Sequence, residues 1–247
     1  MSARERLDVL VVERGLAGSR ERARALILAG QVRVDGRVVS KAGTPIARDA
    51  AIELSQPDHP YVSRGGVKLA HALDAFAIDP GGAVALDVGA STGGFTDVLL
   101  RGGAAHVVAL DVGHGQLDWT LRNDPRVTVL ERVNARALTD QQLPESFRRF
   151  DLITMDLSFI SLTHVLPAVA PLLHPAASMV VLVKPQFEAG RAEVGKGGIV
   201  TDPAVQARVV EHVAASADSL GLRRVASVES PITGAEGNRE FFLHLRS

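Results

Sequence analysis

From Ala83 onwards, short apolar runs alternate with stretches in which apolar residues recur every three or four positions. The runs are typical of buried strands, and the wider spacing is typical of amphipathic helices. The pattern predicts strands at 83–88, 106–111, 127–130, 150–156, 177–184, 222–230 and 240–245, and helices at 67–76, 95–101, 116–122, 161–173 and 203–220. Strands that alternate with helices predict an α/β fold with a mostly parallel, doubly wound sheet. Because no helix separates the last two strands, we expect an antiparallel hairpin at the sheet edge.

The first 58 residues follow a different pattern. Two short amphipathic helices precede a hairpin whose turn is Asp35-Gly36, a dipeptide typical of two-residue turns between antiparallel strands. Ser19 is placed to cap the second helix, and Gly30 is placed to end it. This stretch predicts a small α+β domain. The turn-rich segment 55–60 that follows it is typical of a linker.

The predicted organisation is therefore a small domain over 1–58, a linker over 59–63 and a larger α/β domain over 64–247. Hydrophobic residues make up 46% of the chain and charged residues 22%, which is ordinary for a folded globular protein. The chain has no cysteine, so it has neither a disulfide framework nor a thiolate metal site, and we expect a cytoplasmic location. No apolar stretch approaches the roughly 20 residues of a membrane span, so no membrane partner is expected.

A glycine-rich segment follows the first strand of the larger domain. A dinucleotide fingerprint has glycine at the first, third and sixth loop positions, which here are Gly89, Ser91 and Gly94, so the central glycine is missing. Asp87 stands two positions before the first glycine. The loop resembles the first motif of S-adenosylmethionine-dependent methyltransferases, and a dinucleotide is the alternative. The candidate cofactor-binding residues of this segment are Asp87, Gly89, Ala90, Ser91, Gly93, Gly94, Phe95 and Thr96.

Further polar residues are predicted at the carboxyl edge of the sheet, where ligands bind in this class of fold. Asp111 ends the second strand of the larger domain and is placed to accept hydrogen bonds from ribose hydroxyls. Asn134 either approaches an adenine or is a turn residue. Asp156 and Lys184 end the fourth and fifth strands, and Glu240 opens the last strand. Because that last strand runs antiparallel, all three side chains are expected at one rim.

Arginines dominate the polar positions of the small domain, although the net charge of the whole chain is only −1. The candidate RNA-binding residues are Arg20, Arg22, Arg24, Arg33 and Arg37. Interspersed glutamates leave a solvated charged face as the alternative. Two helices followed by Val-Arg-Val-Asp-Gly-Arg-Val are similar to the αL RNA-binding motif, which favours RNA as a partner.

Five segments resemble, in the same order, the TlyA family of ribosomal RNA 2′-O-methyltransferases, some of which are called haemolysins. The segments lie at 61–69, 87–96, 155–161, 183–188 and 237–240. The resemblance implies a Rossmann-like class I methyltransferase sheet of the FtsJ type, S-adenosylmethionine as the methyl donor, and a cytidine ribose of ribosomal RNA or of a ribosomal subunit as the acceptor. It also implies a catalytic tetrad of Lys68, Asp156, Lys184 and Glu240, in which we expect Asp156 and Glu240 to fix the position of Lys184. This chemistry requires no metal.

Other functions fit parts of the sequence less well. The intact tetrad argues against a non-catalytic ribosome assembly factor. The absence of a strongly amphipathic basic helix argues against a membrane-lytic haemolysin. Ser91 and the RNA-binding domain disfavour a dinucleotide oxidoreductase. The segment 190–197 nearly matches a phosphate-binding loop, but it ends in Gly197 where that motif has serine or threonine, so we expect a lid over the active site.

Overall fold

The computed structural model describes residues 4–55 and 59–247, and the chain divides into two compact units between Pro60 and Tyr61. The predicted linker at 59–63 spans this division, and part of the turn-rich segment, residues 56–58, lies outside the described residues. The domain boundaries at 58 and 64 therefore stay a prediction.

The first unit contains two helices and two small antiparallel sheets. Its elements are β1 (Arg4–Arg6), α1 (Leu7–Glu13), α2 (Arg20–Leu28), β2 (Val32–Val34), β3 (Arg37–Val38), β4 (Pro45–Ala47) and β5 (Ile52–Leu54). Strands β1 and β4 pair with each other, and β2 pairs with both β3 and β5. Asp35 and Gly36 both have positive φ, so the predicted two-residue hairpin turn is confirmed. Ser19 caps α2 as expected, because its hydroxyl accepts from the Arg22 amide.

The second unit is a seven-stranded sheet with helices on both faces. Its helices are α3 (Gly65–Ala75), α4 (Gly94–Arg101), α5 (Trp119–Arg122), α6 (Leu166–Val169), α7 (Pro185–Glu188) and α8 (Pro203–Asp218). Its strands are β6 (Val84–Val88), β7 (His106–Asp111), β8 (Val127–Glu131), β9 (Phe150–Met155), β10 (Leu173–Val183), β11 (Arg223–Glu229) and β12 (Phe241–Arg246). The spatial order is β11-β12-β10-β9-β6-β7-β8. Strands β6 to β10 are parallel and β12 is antiparallel to both of its neighbours, which confirms the predicted edge hairpin.

Side chains of the central strands alternate between two apolar layers. Leu86 and Val88 of β6 pack on the layer that contains α6 and α8, whereas Ala85 packs on the layer that contains α3 and α4. This alternation is the period of two that a strand imposes, and both layers are buried because helices cover both faces. The sheet is thereby fixed in register, and the carboxyl ends of its parallel strands meet at one edge.

Two predicted helices are shorter in the structure. The stretch predicted as one helix over 161–173 contains Pro167 and Pro171, and it forms only α6 flanked by 3₁₀ turns at Leu162–His164 and Ala170–Leu172. A proline inside a helix removes a backbone donor and clashes with the preceding turn. The helix predicted over 116–122 starts only at Trp119, because the Asp118 carboxylate accepts from the Thr120 amide and caps it there.

Asp87 joins three elements of the second unit. Its enclosed carboxylate accepts hydrogen bonds from the hydroxyls of Thr96 in α4 (2.7 Å) and Thr154 in β9 (3.0 Å). Burial raises the pKa of Asp87 to about 6, although both hydroxyls act to lower it, and the charge of Asp156 raises it slightly further. The Asp87 carboxylate therefore links β6 to the start of α4 and to β9, although burial of its negative charge is unfavourable.

The raised pKa of Asp87 predicts how stability depends on pH. Between about pH 4 and 6 the folded chain holds a proton that the unfolded chain releases, so the free energy of unfolding falls as pH rises through this window. Asp87→Asn should remove this contribution, which is on the order of 3 kcal/mol for a shift of this size. Urea unfolding followed by circular dichroism from pH 4 to 7 measures it. Asp218→Asn, on the exposed end of α8, is the control. Parallel pH profiles for wild type and Asp87→Asn would contradict the assignment.

Candidate active site

Two neighbouring cavities open at the carboxyl edge of the sheet, between β6 and β9. The larger has a volume of about 510 Å³ and is called here the lysine cavity, because Lys68 and Lys184 line it. The smaller has a volume of about 450 Å³ and is called the Asp111 cavity. The two cavities share wall residues, which are Gly89, Ser91, Asp156, Ser158 and Phe159. Strand order reverses between β6 and β9, and this is where open α/β sheets bind ligands.

The Asp111 cavity is built around a carboxylate that holds two loops. Asp111 accepts from the Ser91 amide (2.8 Å) and from the Gly113 amide (2.6 Å), one at each carboxylate oxygen. Each oxygen has a further lone pair for a ligand hydroxyl. Asn134 also lines this cavity, and its side chain accepts from the Arg136 amide at the start of a short 3₁₀ turn. Asn134 is therefore a turn residue that also lines the cavity, and its approach to an adenine stays a prediction.

The glycines of the loop are required by contacts within the protein. Gly89 has a φ of +86°, and a Cβ atom there would lie 2.3 Å from the backbone oxygen of Asp156. A Cβ atom on Gly94 would lie 2.3 Å from the hydroxyl oxygen of Ser63 and 2.8 Å from the Gly66 amide nitrogen. The sequence predicted Gly89 as a cofactor-binding residue. The structure adds that this glycine lets the ends of β6 and β9 approach each other.

The predicted cofactor-binding residues of this loop fall into two groups. Five of them line one or both cavities: Gly89, Ala90, Ser91, Gly94 and Phe95. The other three, Asp87, Gly93 and Thr96, line neither cavity. Asp87 and Thr96 are hydrogen-bonded to each other in the interior, and a Cβ atom on Gly93 would meet the side chains of Leu117 and Leu121. These three residues therefore stabilise the loop from the interior of the protein.

All four candidate tetrad residues line the lysine cavity, as two lysine–carboxylate pairs. The ammonium nitrogen of Lys184 lies 2.5 Å from Oδ1 of Asp156, and it donates to the hydroxyl of Ser158 (3.1 Å). Lys68 donates to Oε2 of Glu240, and the side chains of both are almost fully buried. Glu240 was expected to hold Lys184, but it pairs with Lys68. Burial makes an unpaired charge costly, so each charge has its partner.

The topology explains these pairings. Lys184 follows β10 and Asp156 follows the adjacent parallel strand β9, so the two side chains meet at the rim. Glu240 precedes β12, which lies on the other side of β10. Lys68 lies on the buried side of α3 and reaches Glu240 from the face of the sheet. The strand order thus separates the carboxylates and gives each of them one lysine.

Four residues in the segments that follow β9 and β10 line the lysine cavity but were not among the predicted site residues. They are Ser158, Phe159, Gln186 and Phe187. The side chain of Phe159 is 91% exposed, its φ is +66°, and its ring lies 5.2 Å from the ring of Phe187 at a tilt. The segment that follows each rim residue could have indicated them, because loops at the carboxyl edge of a sheet carry the ligand contacts.

The segment predicted as a lid forms part of the wall of the lysine cavity. Val194 and Gly198 line this cavity. Buried Asn238 holds the segment, because its amide donates to the Gly198 oxygen (2.8 Å) and its oxygen accepts from the Val200 amide (2.9 Å). The chain after Lys196 forms a turn, where a phosphate-binding loop would begin a helix. Closure of this segment stays a prediction.

In the first unit, two of the predicted RNA-binding arginines are joined to one buried carboxylate. Arg20 and Arg24 both contact Oδ2 of Asp8, at 3.0 and 3.1 Å, and Arg6 contacts Oδ1 at 2.9 Å. The hydrogen bond from Arg6 is the largest of the effects that hold the pKa of Asp8 well below its usual range. These residues are called the Asp8 cluster. The side chains of the three arginines are about half exposed, so these residues stabilise the unit and still reach its surface.

The remaining predicted arginines lie outside the Asp8 cluster. Arg33 donates to the Gly36 oxygen (3.0 Å), within the hairpin, and Arg22 donates to the His59 oxygen (3.2 Å). Arg37 lies exposed on β3. Within residues 4–55 and 59–247, no helix has the length and apolar character needed to cross a membrane.

Comparison with known proteins places both units in families. Residues 61–247 match the FtsJ-like methyltransferase family, and residues 5–52 match the S4 domain. The whole chain is 52% identical to 91% of a Mycobacterium tuberculosis protein named 16S/23S rRNA (cytidine-2′-O)-methyltransferase TlyA. Over 97% of its length, the chain is 41% identical to 98% of Hemolysin A from Brachyspira hyodysenteriae.

Solved structures agree with these matches. A protein described as a hemolysin from Streptococcus thermophilus aligns with a TM-score of 0.77 and 41% identity, over 99% of this chain and 89% of that one. An S-adenosylmethionine-dependent methyltransferase structure from Listeria monocytogenes aligns with a TM-score of 0.55 and 15% identity, over 75% of this chain and 100% of that one, which bears on the fold alone. The predicted methyltransferase fold and the resemblance to haemolysin-named methyltransferases are confirmed. The chain belongs to the FtsJ-like methyltransferase family and combines that domain with an S4 domain.

Proposed function

We propose that this enzyme transfers a methyl group from S-adenosylmethionine to the 2′-hydroxyl of a cytidine in ribosomal RNA, in the cytoplasm where ribosomes are assembled. The observation that carries the proposal is the enclosure of two lysine–carboxylate pairs, Lys184–Asp156 and Lys68–Glu240, in a cavity that adjoins the Asp111 cavity. The relative from Mycobacterium tuberculosis bears the name of this activity. A ribose hydroxyl is a weak acid, so its methylation needs groups that position it and remove its proton.

The residues of the Asp111 cavity fit an adenosine-containing donor. The Asp111 carboxylate has lone pairs left for ribose hydroxyls, and Asn134 offers an amide beside apolar walls from Leu110 and Val133. A volume of about 450 Å³ is in the range of small-molecule sites. The donor would supply an electrophilic methyl group on a sulfonium. We infer that Gly89 and Ser91, which line both cavities, form the passage between donor and acceptor.

Lys184 is the residue that we assign to the proton transfer. Asp156 and Ser158 hold its ammonium group, so it has a fixed position at the rim. The Lys184 ammonium first passes one proton to the Asp156 carboxylate, and the free nitrogen then accepts the proton of the acceptor hydroxyl as that oxygen bonds to the methyl group and the bond from the methyl group to sulfur breaks. Fixed placement of the hydroxyl accounts for much of the expected rate enhancement.

The Lys68–Glu240 pair lines the same cavity as Lys184 and Asp156. Because both side chains are almost fully buried, the pair joins α3 to the start of β12 at a fixed separation. We assign it to positioning of the ribose and its phosphate, with Lys68 as the cation nearest to the phosphate. Removal of either partner would leave an uncompensated buried charge.

The S4 domain is assigned to RNA binding through Arg20, Arg22, Arg24, Arg33 and Arg37. Phosphate contacts of this kind position an RNA and carry little sequence information. Arg20 and Arg24 have a second role in the Asp8 cluster, so their replacement would also disturb the fold. Arg33 and Arg37 lie outside that cluster and report on RNA contact more directly.

Lys184→Ala should lower methyl transfer to ribosomal RNA by at least about a hundredfold, the effect of removing a general acid–base group. The affinity for S-adenosylmethionine should stay within about threefold, because Lys184 does not line the Asp111 cavity. Transfer of a labelled methyl group and calorimetric titration of the donor measure the two effects. Lys184→Arg separates charge from proton transfer: arginine retains the charge but does not release a proton, so it should not restore activity. Substantial activity in either variant would exclude the proton-transfer role.

Asp111→Ala should raise the dissociation constant for S-adenosylhomocysteine by about tenfold or more, because a charged acceptor for ribose hydroxyls is lost. The loop that Asp111 holds through the Ser91 amide also becomes less ordered. Titration calorimetry with the full chain measures the change. Asp79→Ala, in the exposed turn before β6, should bind like wild type. Unchanged affinity in Asp111→Ala would remove the donor from this cavity.

Arg37→Glu should weaken binding of ribosomal RNA transcripts of any sequence, and it should reduce the slope of log affinity against log salt by about one. Fluorescence anisotropy at several potassium chloride concentrations measures both quantities. Arg223→Glu makes the same charge change on exposed β11 of the second unit and serves as the control. If both variants lost the same affinity, the effect would come from net charge, and the assignment of the S4 domain surface would be wrong.

A further inference from the structure

Gln186 carries a buried polar atom that its surroundings leave unpaired. Its side chain lines the lysine cavity, two residues after Lys184. Its carboxamide oxygen is inaccessible to solvent and has no hydrogen-bond partner among the described residues. A buried carbonyl without a partner costs about 1–3 kcal/mol, and such atoms are rare in folded proteins. The oxygen is covered by protein atoms, so it reaches a ligand in the cavity only when the carboxamide turns towards that cavity, and a donating ligand there would end its unpaired state.

The backbone around Gln186 is fixed, so the unpaired oxygen does not come from a loose segment. Glu188, on the same short helix α7, accepts from the hydroxyl of Ser161 (2.6 Å) and from the amide of Leu162 (2.8 Å). These bonds tie α7 to the loop that follows Asp156.

The wall beside Gln186 is aromatic. Phe187 follows it directly, and the Phe187 ring contacts that of Phe159. Aromatic faces combined with a polar group at the edge are the usual means by which proteins recognise an unpaired base in RNA. The lysine cavity therefore has room and chemistry for a nucleobase as well as for a ribose.

We propose that Gln186 is a specificity-determining residue, whose carboxamide turns into the cavity when RNA binds and accepts, through its oxygen, a hydrogen bond from the exocyclic amine of the target cytosine. The inference rests on the proposed function, in which the ribose hydroxyl lies at Lys184. The base is attached to the ribose carbon next to the one that bears this hydroxyl, so it enters the same cavity. Cytosine has an amine donor where uracil has a carbonyl acceptor. A uridine would place two acceptors against each other and leave the Gln186 oxygen unpaired.

The test compares cytidine and uridine at one position. Full-length enzyme is assayed on ribosomal subunits that contain either the native cytidine or a uridine at the mapped methylation position. Wild type should prefer cytidine by about tenfold or more, the selectivity of one well-formed base contact. Gln186→Met keeps the size of the side chain and removes the acceptor, so kcat/KM for cytidine should fall at least about tenfold and the preference should approach one. Gln186→Glu retains an acceptor and should keep the preference for cytidine.

Two controls distinguish the possible failures. Gln141→Met, on an exposed turn, should behave like wild type. Unchanged affinity for S-adenosylhomocysteine shows that Gln186→Met is folded, because Gln186 does not line the Asp111 cavity. If wild type methylates neither subunit, the proposed function fails. If wild type methylates both equally, or if Gln186→Met keeps the wild-type preference, the function stands and the role of Gln186 is overturned.

Discussion

The second unit depends on the pairing of two lysines with two carboxylates at one edge of its sheet, of which one pair is almost fully buried and the other is partly exposed. Lys184 and Asp156 come from the ends of adjacent parallel strands, and Lys68 and Glu240 come from a helix and an antiparallel strand. Removing charges from water is costly unless each has a close partner, so the fold can enclose these groups only in pairs. The same pairing places two ammonium groups and two carboxylates in one cavity. The arrangement that satisfies the electrostatics of the fold is also the arrangement that can hold and deprotonate a hydroxyl.

The close contact between β6 and β9 makes this edge possible. Gly89 lies directly against the backbone of Asp156, and the Asp156 amide donates to the Val88 oxygen. Asp87 adds a buried carboxylate that links β9 to the first turn of α4. Residues of a motif that are usually discussed as ligand contacts thus serve partly to bring two strand ends together. Both cavities lie beside the place where the ends of β6 and β9 meet, so they share Gly89 and Asp156 as wall residues.

Much of this edge was predictable from the sequence. The end of each apolar run marks a strand end, and parallel strand ends meet, so Asp156 and Lys184 were expected together. Lys68 could not be found in this way, because it lies on a helix, and only the family resemblance indicated it. The predicted pairing of Glu240 with Lys184 was wrong, because the order of β12, β10 and β9 in the sheet cannot be read from the sequence. Phe159 and Gln186 were missed because an exposed aromatic and an unpaired amide are properties of the folded surface.

Mass spectrometry of the product tests the central claim most directly. Purified ribosomal subunits are incubated with the full chain and S-adenosylmethionine, and nuclease fragments of the RNA are then analysed. The account predicts a methyl group on the 2′-oxygen of a cytidine, at a rate that depends on the intact Lys184–Asp156 pair. A methyl group on a base nitrogen or carbon would contradict it, because the lysine cavity would then serve a different acceptor. Absence of any transfer to either subunit or to free ribosomal RNA would contradict it as well.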